Sequence, residues 1–184
     1  MKTGALLLVL LMGIQLTGCK STEKTRVPNP KLDLLIKNQA FRIAVDAVQP
    51  QLTMALAQLN NSQLVRPGNT LSNINVGGEG YFIKMEGDSV AANLPYYGER
   101  QMGGGYGSPV GIVFKEIARD LKIEKTANTN AYQVSFGVPS AEEFYRFMIT
   151  LENNLDCTAH VTSSHRNRIR FTGKVEELES NEQQ

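Results

Sequence analysis

The sequence predicts a mainly β fold: an antiparallel meander of about eight strands, barrel-like or a sandwich, with a short helix at its N-terminal side. Three observations carry this expectation. From Phe41 to Val175 apolar side chains recur with a period of two, the repeat of a half-buried strand. Short turn signals separate the runs: Gly87-Asp88, Ala127 to Asn130, Glu152-Asn153-Asn154 and Ser163 to Asn167. No strand–helix–strand unit interrupts them, which argues against a parallel sheet.

Residues 1–18 follow the plan of a lipoprotein signal peptide. Lys2 supplies the positive start and Ala5 to Met12 the apolar run, and Leu16-Thr17-Gly18-Cys19 resembles a lipobox. The run falls short of the roughly 20 residues a permanent span needs. The pattern implies a diacylglycerol thioether on the Cys19 sulfur and a mature protein anchored to a membrane by lipid. Lys20 stands where an aspartate would retain an enteric lipoprotein in the inner membrane, so the expected address is the outer membrane of the cell envelope. Residues 19–29 are polar and read as a lipidated tether.

The next 147 residues, 30–176, read as a single β domain, and 177–184 as a flexible tail. Asn29 and Pro30 suit the cap and first turn of a helix whose Leu32, Leu35 and Ile36 form one apolar face. Phe41, Ile43, Val45 and Ala47 alternate as a strand. Residues 49–80 carry mixed signals: Leu52, Ala55, Leu56 and Leu59 suit a helical turn, and Leu71, Ile74 and Val76 a strand. A type II′ turn at Gly87-Asp88 pairs Glu86 with Ser89 and puts Tyr81, Ile83, Met85, Val90, Ala92 and Leu94 on one face. Val110, Ile112 and Phe114, then Leu121 and Ile123, continue the pattern after a glycine-rich loop. Tyr132, Val134, Phe136 and Val138 form the next strand, and Tyr145, Phe147, Ile149 and Leu151 the one after. A three-residue loop with Asn154 left-handed places Leu151 opposite Leu155 and Ile149 opposite Cys157. In the last hairpin Leu155, Cys157, Ala159 and Val161 face Ile169, Phe171, Gly173 and Val175. Asp156, Thr158 and His160 then lie outside, near Lys174, Thr172 and Arg170.

With 19 bases, 18 acids and Lys2 in the leader, the mature chain is formally neutral, which gives no reason to expect a nucleic-acid partner. Of the two cysteines one is committed to lipid, so Cys157 has no partner for an internal disulfide.

Several stretches together resemble the domain-of-unknown-function family numbered 4251, lipoproteins of Bacteroidetes-type bacteria. They are Phe41-Arg42-Ile43 with Pro50, Gly87-Asp88, Leu94-Pro95-Tyr96-Tyr97-Gly98, Tyr132 to Phe136, Val161 to Arg166 and Ile169 to Gly173. The resemblance supports localisation and fold, and implies no activity and no site residue.

No catalytic residues, metal or cofactor are predicted. Cys157, His160 and His165 have tempting spacing for zinc, but an odd offset along a strand puts Cys157 and His160 on opposite faces. Ser163, Ser164 and His165 read as turn chemistry, not a nucleophile and base. Gly103 to Gly107 lacks the strand-to-helix context of a phosphate cradle. Two groups suit a contact surface: Tyr96, Tyr97, Arg100 and Tyr106 in the loop, and a cationic stripe of Arg166, Arg168 and Arg170 running toward Lys174. The expectation is a membrane-anchored, non-catalytic binding or structural module for an envelope protein or glycan. The alternatives are a lipocalin-like carrier of a small apolar ligand and, third, a hydrolase using His160 or His165.

Overall fold

The computed structural model describes residues 27–54, 57, 68–102, 110–127, 129–140 and 143–178. A helix, α1 (Pro30–Asn38), is followed by β1 (Ala40–Pro50), β2 (Ile74–Asn75), β3 (Phe82–Glu86), β4 (Ser89–Leu94) and β5 (Ile112–Ile117). Then come β6 (Arg119–Lys125), β7 (Tyr132–Pro139), β8 (Phe144–Leu151), β9 (Asp156–Ser163) and β10 (Ile169–Glu176). The strands form one antiparallel sheet in the order β5-β4-β3-β1-β10-β9-β8-β7-β6, with β2 beside β1.

β5 and β6 stand at opposite ends of that order, yet only Ala118 separates them in the chain. Residues 112–125 are thus one bent strand, paired with β4 through its first half and with β7 through its second. It curls the sheet into a nearly closed barrel. Among the described residues, with the bent strand counted once and the two-residue β2 set aside, the ten strands reduce to eight staves, in line with the alternation.

The N-terminal helix forms where the cap residues place it. The Asn29 side chain accepts from the Lys31 amide at 3.0 Å, Pro30 opens the first turn, and Leu32, Leu35 and Ile36 are buried. Asn29 and Asn153 clasp each other through two hydrogen bonds of 2.8 Å, so the helix start is tied to the β8–β9 turn. Asp33 accepts from Lys125 at 2.7 Å and from Tyr132 at 2.5 Å, at the β6–β7 turn. The helix therefore sits at the barrel end that carries these two turns.

The β3–β4 hairpin has the expected register, Glu86 opposite Ser89 and Ile83 opposite Ala92, with Gly87 at φ 58°. Only Gly87 of the turn pair takes a positive φ, the signature of the II′ form. The β9–β10 hairpin also matches, pairing His160 with Arg170, Thr158 with Thr172 and Asp156 with Lys174.

Three expectations need correction. In β1 the alternation slips between Val45 and Ala47, so Val48, not Ala47, is the next fully buried side chain. The extra residue is Asp46, whose carbonyl accepts from Val76 at 2.8 Å; this is a bulge that bends the strand toward β2. Between β8 and β9 the pairing is Leu151 with Cys157 and Ile149 with Ala159. Leu155, at φ 69°, takes the left-handed position in a longer loop, while the Asn154 side chain bonds Asp156 instead. A shift of two residues leaves every side chain on its expected face, which is why the strand pattern did not reveal it. Val110 lies outside β5 and is 83% exposed. Of residues 49–80, the described part contains β2, and the Ala57 amide donates to the Thr53 carbonyl at 2.9 Å; Ala55, Leu56 and Leu59 lie outside the described residues.

Phe41, Phe114, Phe136, Phe147 and Phe171 all lie in one buried core. Phe136 stacks on Phe147 at 4.9 Å, and Phe147 meets Phe114 edge-on at 5.6 Å. Of the five, Phe114 and Phe136 each touch Phe147 directly.

Candidate binding site

At the end opposite α1, where β7 turns into β8 and β9 into β10, a charged network is buried. Glu143 sits just before β8, and Arg166 lies in the β9–β10 turn; their side chains are only 2% and 1% exposed. The Arg166 Nε donates to both Glu143 oxygens at 2.9 Å, and Arg166 Nη1 to the Val110 carbonyl at 2.8 Å. Arg100 reaches the same carboxylate at 2.8 Å, and the Ser163 hydroxyl donates to it at 2.6 Å. The guanidinium of Arg166 lies 5.0 Å from the Tyr96 ring centre, and the Tyr96 hydroxyl donates to the Glu99 and Asn167 carbonyls. One carboxylate thus gathers the loop after β4, the start of β8 and the turn after β9.

Burial alone would push the Glu143 carboxyl up. The hydrogen bonds from Arg166 and Ser163, with the Arg166 and Arg100 charges, outweigh it and leave the group below its ordinary value. Burial pushes the phenols of Tyr96 and Tyr145 up to about 12, so both stay neutral donors.

The network fixes Phe144, whose amide and carbonyl bond Ser164 at 3.2 Å each. Phe144 points outward on β8 and remains 37% exposed. Its ring rests on Gly137 of β7: a Cβ built there would meet the ring tip at 2.5 Å. From this ring a trough of about 430 Å³ runs along the outer face of the barrel. Arg146 and Met148 of β8 line one side, Gln133 and Ser135 of β7 the floor, and Lys122 and Asp120 of β6 the other side. The trough lies beside an irregular stretch of β6. Its register against β7 shifts between Arg119 and Lys122, and Asp120 takes φ 53°.

The anticipated contact residues divide. Tyr97, Arg168 and Arg170 are exposed as expected, and Arg170 bonds Gln49 on the outer face. Tyr96 (8% exposed) and Arg166 (4%) are not part of any surface. Arg166 precedes β10, so strand alternation does not govern it, and Glu143 draws it inward. Arg100 is half-buried in the same network. Cys19, Tyr106 and residues 103–109 lie outside the described residues, as do 1–26 and 179–184. Cys157 faces the core and burial pushes its thiol up, while His160 is on the opposite face. Burial, then the charges of Arg168 and Arg170, lower the His160 value. The Ser163 oxygen is used within its turn, donating to Glu143 and accepting from the His165 amide at 3.0 Å.

Phe144, Gly137 and Glu143 were missed from the sequence. Two of them left a signal: Phe144 is an aromatic in the outward phase of a strand whose inward phase is already aromatic, and Gly137 is a glycine within a strand, a mark of close approach. Glu143 left none, because its partners come from distant segments.

Fold and core together define an antiparallel, nearly closed barrel whose inward side chains pack into one buried cluster. The model of the domain of unknown function DUF4251 matches residues 24–175, and the chain belongs to that family. The fold is similar to the crystal structure of a DUF4251 family protein from Bacteroides eggerthii DSM 20697, with 14% sequence identity, a TM-score of 0.55, and coverage of 82% of this chain and 89% of that one. No curated protein matches the chain.

Proposed function

We propose that the protein is a lipoprotein moored in the cell envelope, at the outer membrane, whose barrel is a non-catalytic binding module for a protein or glycan. The observation that carries the binding reading is the filled interior. With five phenylalanines packed inside, recognition falls to the exterior, and the outer trough combines an exposed ring with both signs of charge. The mooring rests on Lys2, the apolar run and the Leu16-Thr17-Gly18-Cys19 pattern. A carrier role has the packed rings against it.

Two experiments test the parts separately. Labelling cells with an alkyne fatty acid should tag the wild-type protein and not Cys19→Ala; an untagged wild type refutes the mooring. Photo-cross-linkers placed at Met148 and at Val113, on a different stretch of outer wall, should capture a partner from the first position only. Equal capture, or none, refutes the module.

A further inference from the structure

We propose that the trough on β6–β8 is a carbohydrate site, with Phe144 as the apolar platform for a pyranose ring. This rests on the reading of the barrel as an exterior binding module, and names the chemical class it takes.

Three observations converge on that class. First, Gly137 has no side chain where the Phe144 ring rests, so the sheet is cut away beneath an aromatic that stays partly exposed. An exposed ring offers an apolar surface to the C–H groups of a sugar. Second, main-chain pairing already runs through the trough: Lys122 pairs with Ser135, Ser135 with Met148 and Gly137 with Arg146. A peptide laid on this face has no free strand edge to extend, so recognition rests on side chains. Third, those side chains both give and take hydrogen bonds. Arg146 and Lys122 donate, Asp120 accepts, and Gln133 does both. Sugar hydroxyls likewise donate and accept around an apolar face. At about 430 Å³ the trough falls within the size range of small-ligand clefts.

The test is a titration of the purified, isotope-labelled protein with soluble maltohexaose, cellohexaose, chitohexaose and chondroitin hexasaccharide, read by amide NMR shifts. At least one should move the amides of Gln133 to Gly137 and Phe144 to Met148. Phe144→Ala should then weaken binding by about tenfold or more. Gly137→Ala should do the same while leaving the spectrum folded, because the added methyl meets the outer atoms of the Phe144 side chain and no main-chain atom. Arg146→Gln should weaken it several-fold. Unchanged affinity in both Phe144→Ala and Gly137→Ala would overturn the proposal, as would no shift in the trough with any of the four at about 10 mM. If no sugar moves these amides but Met148 cross-links to a polypeptide, the carbohydrate assignment fails and the binding module stands. If neither occurs, both fail.

Discussion

Replacing Glu143 with Gln keeps the side chain's shape and removes its charge. Arg166, whose side chain is 1% exposed, would then hold a positive charge against a neutral amide, with Arg100 adding a second cation 2.8 Å from the same oxygen position. Removing one partner of a buried pair costs about 3–5 kcal/mol, and Arg166 keeps the Val110 carbonyl and the Tyr96 ring, so about 3 kcal/mol is expected. For a domain of this size that is a fall in Tm of roughly 6–12 °C. The reciprocal change, Arg166→Met, should cost less, because Arg100 and Ser163 still serve the carboxylate. The double variant should be more stable than the sum of the two losses implies, by about 1–3 kcal/mol. The acid response follows from the lowered Glu143 value. A carboxyl depressed in the folded state contributes stability that is fully present above its unfolded value, about 4.3. That stability fades as pH falls through the lower folded value. Thermal melts by circular dichroism across the acid range should show this loss in wild type and its reduction in Glu143→Gln. A Gln variant melting within about 2 °C of wild type at neutral pH, or an unchanged acid slope, would refute the reasoning.

Three further outcomes are expected. Gly173→Ala should cost about 3 kcal/mol or more by urea unfolding, since the new Cβ would press on the Ala44 carbonyl oxygen and lie 3.0 Å from the Val45 Cα, main-chain atoms of β1 that cannot yield without parting β1 from β10. Cys157→Ser should cost about 1–3 kcal/mol, because a hydroxyl would be buried among apolar neighbours, and the native thiol should resist a thiol reagent until unfolding exposes it. Asn29→Ala should cost about 1–2 kcal/mol in the same assay, through loss of the helix cap and of the bond to Asn153.

The fold was legible wherever a local rule fixes geometry. Asn29-Pro30 announces a helix start, Gly87-Asp88 a two-residue turn, and the odd–even phase of Cys157 to Val161 the inner face of β9. The bulge at Asp46 was not legible, because a strand with an inserted residue keeps its composition and changes only its phase. The β8–β9 loop length was hidden because a two-residue slip preserves faces. The site was least legible of all. Arg166 reads as one of three alternating surface cations until Glu143, 23 residues earlier, is brought beside it. The trough is lined from three separate strands that a linear pattern does not bring together.

The first stave of the barrel is closed by the last. β1 pairs along one side with β10, placing Arg42 beside Glu176. The other side of β1 is shared by β3 and β2. Contacts that far apart in sequence form late and slowly. Until the C-terminal strand arrives, a long edge with inward Phe41, Ile43 and Val45 stays open to any other strand it meets. A chain cut short before residue 169 would therefore not be a slightly weakened version of this protein. It would be a sheet with its seam undone and a template for aggregation, and nascent chains would need shielding until their final residues emerge.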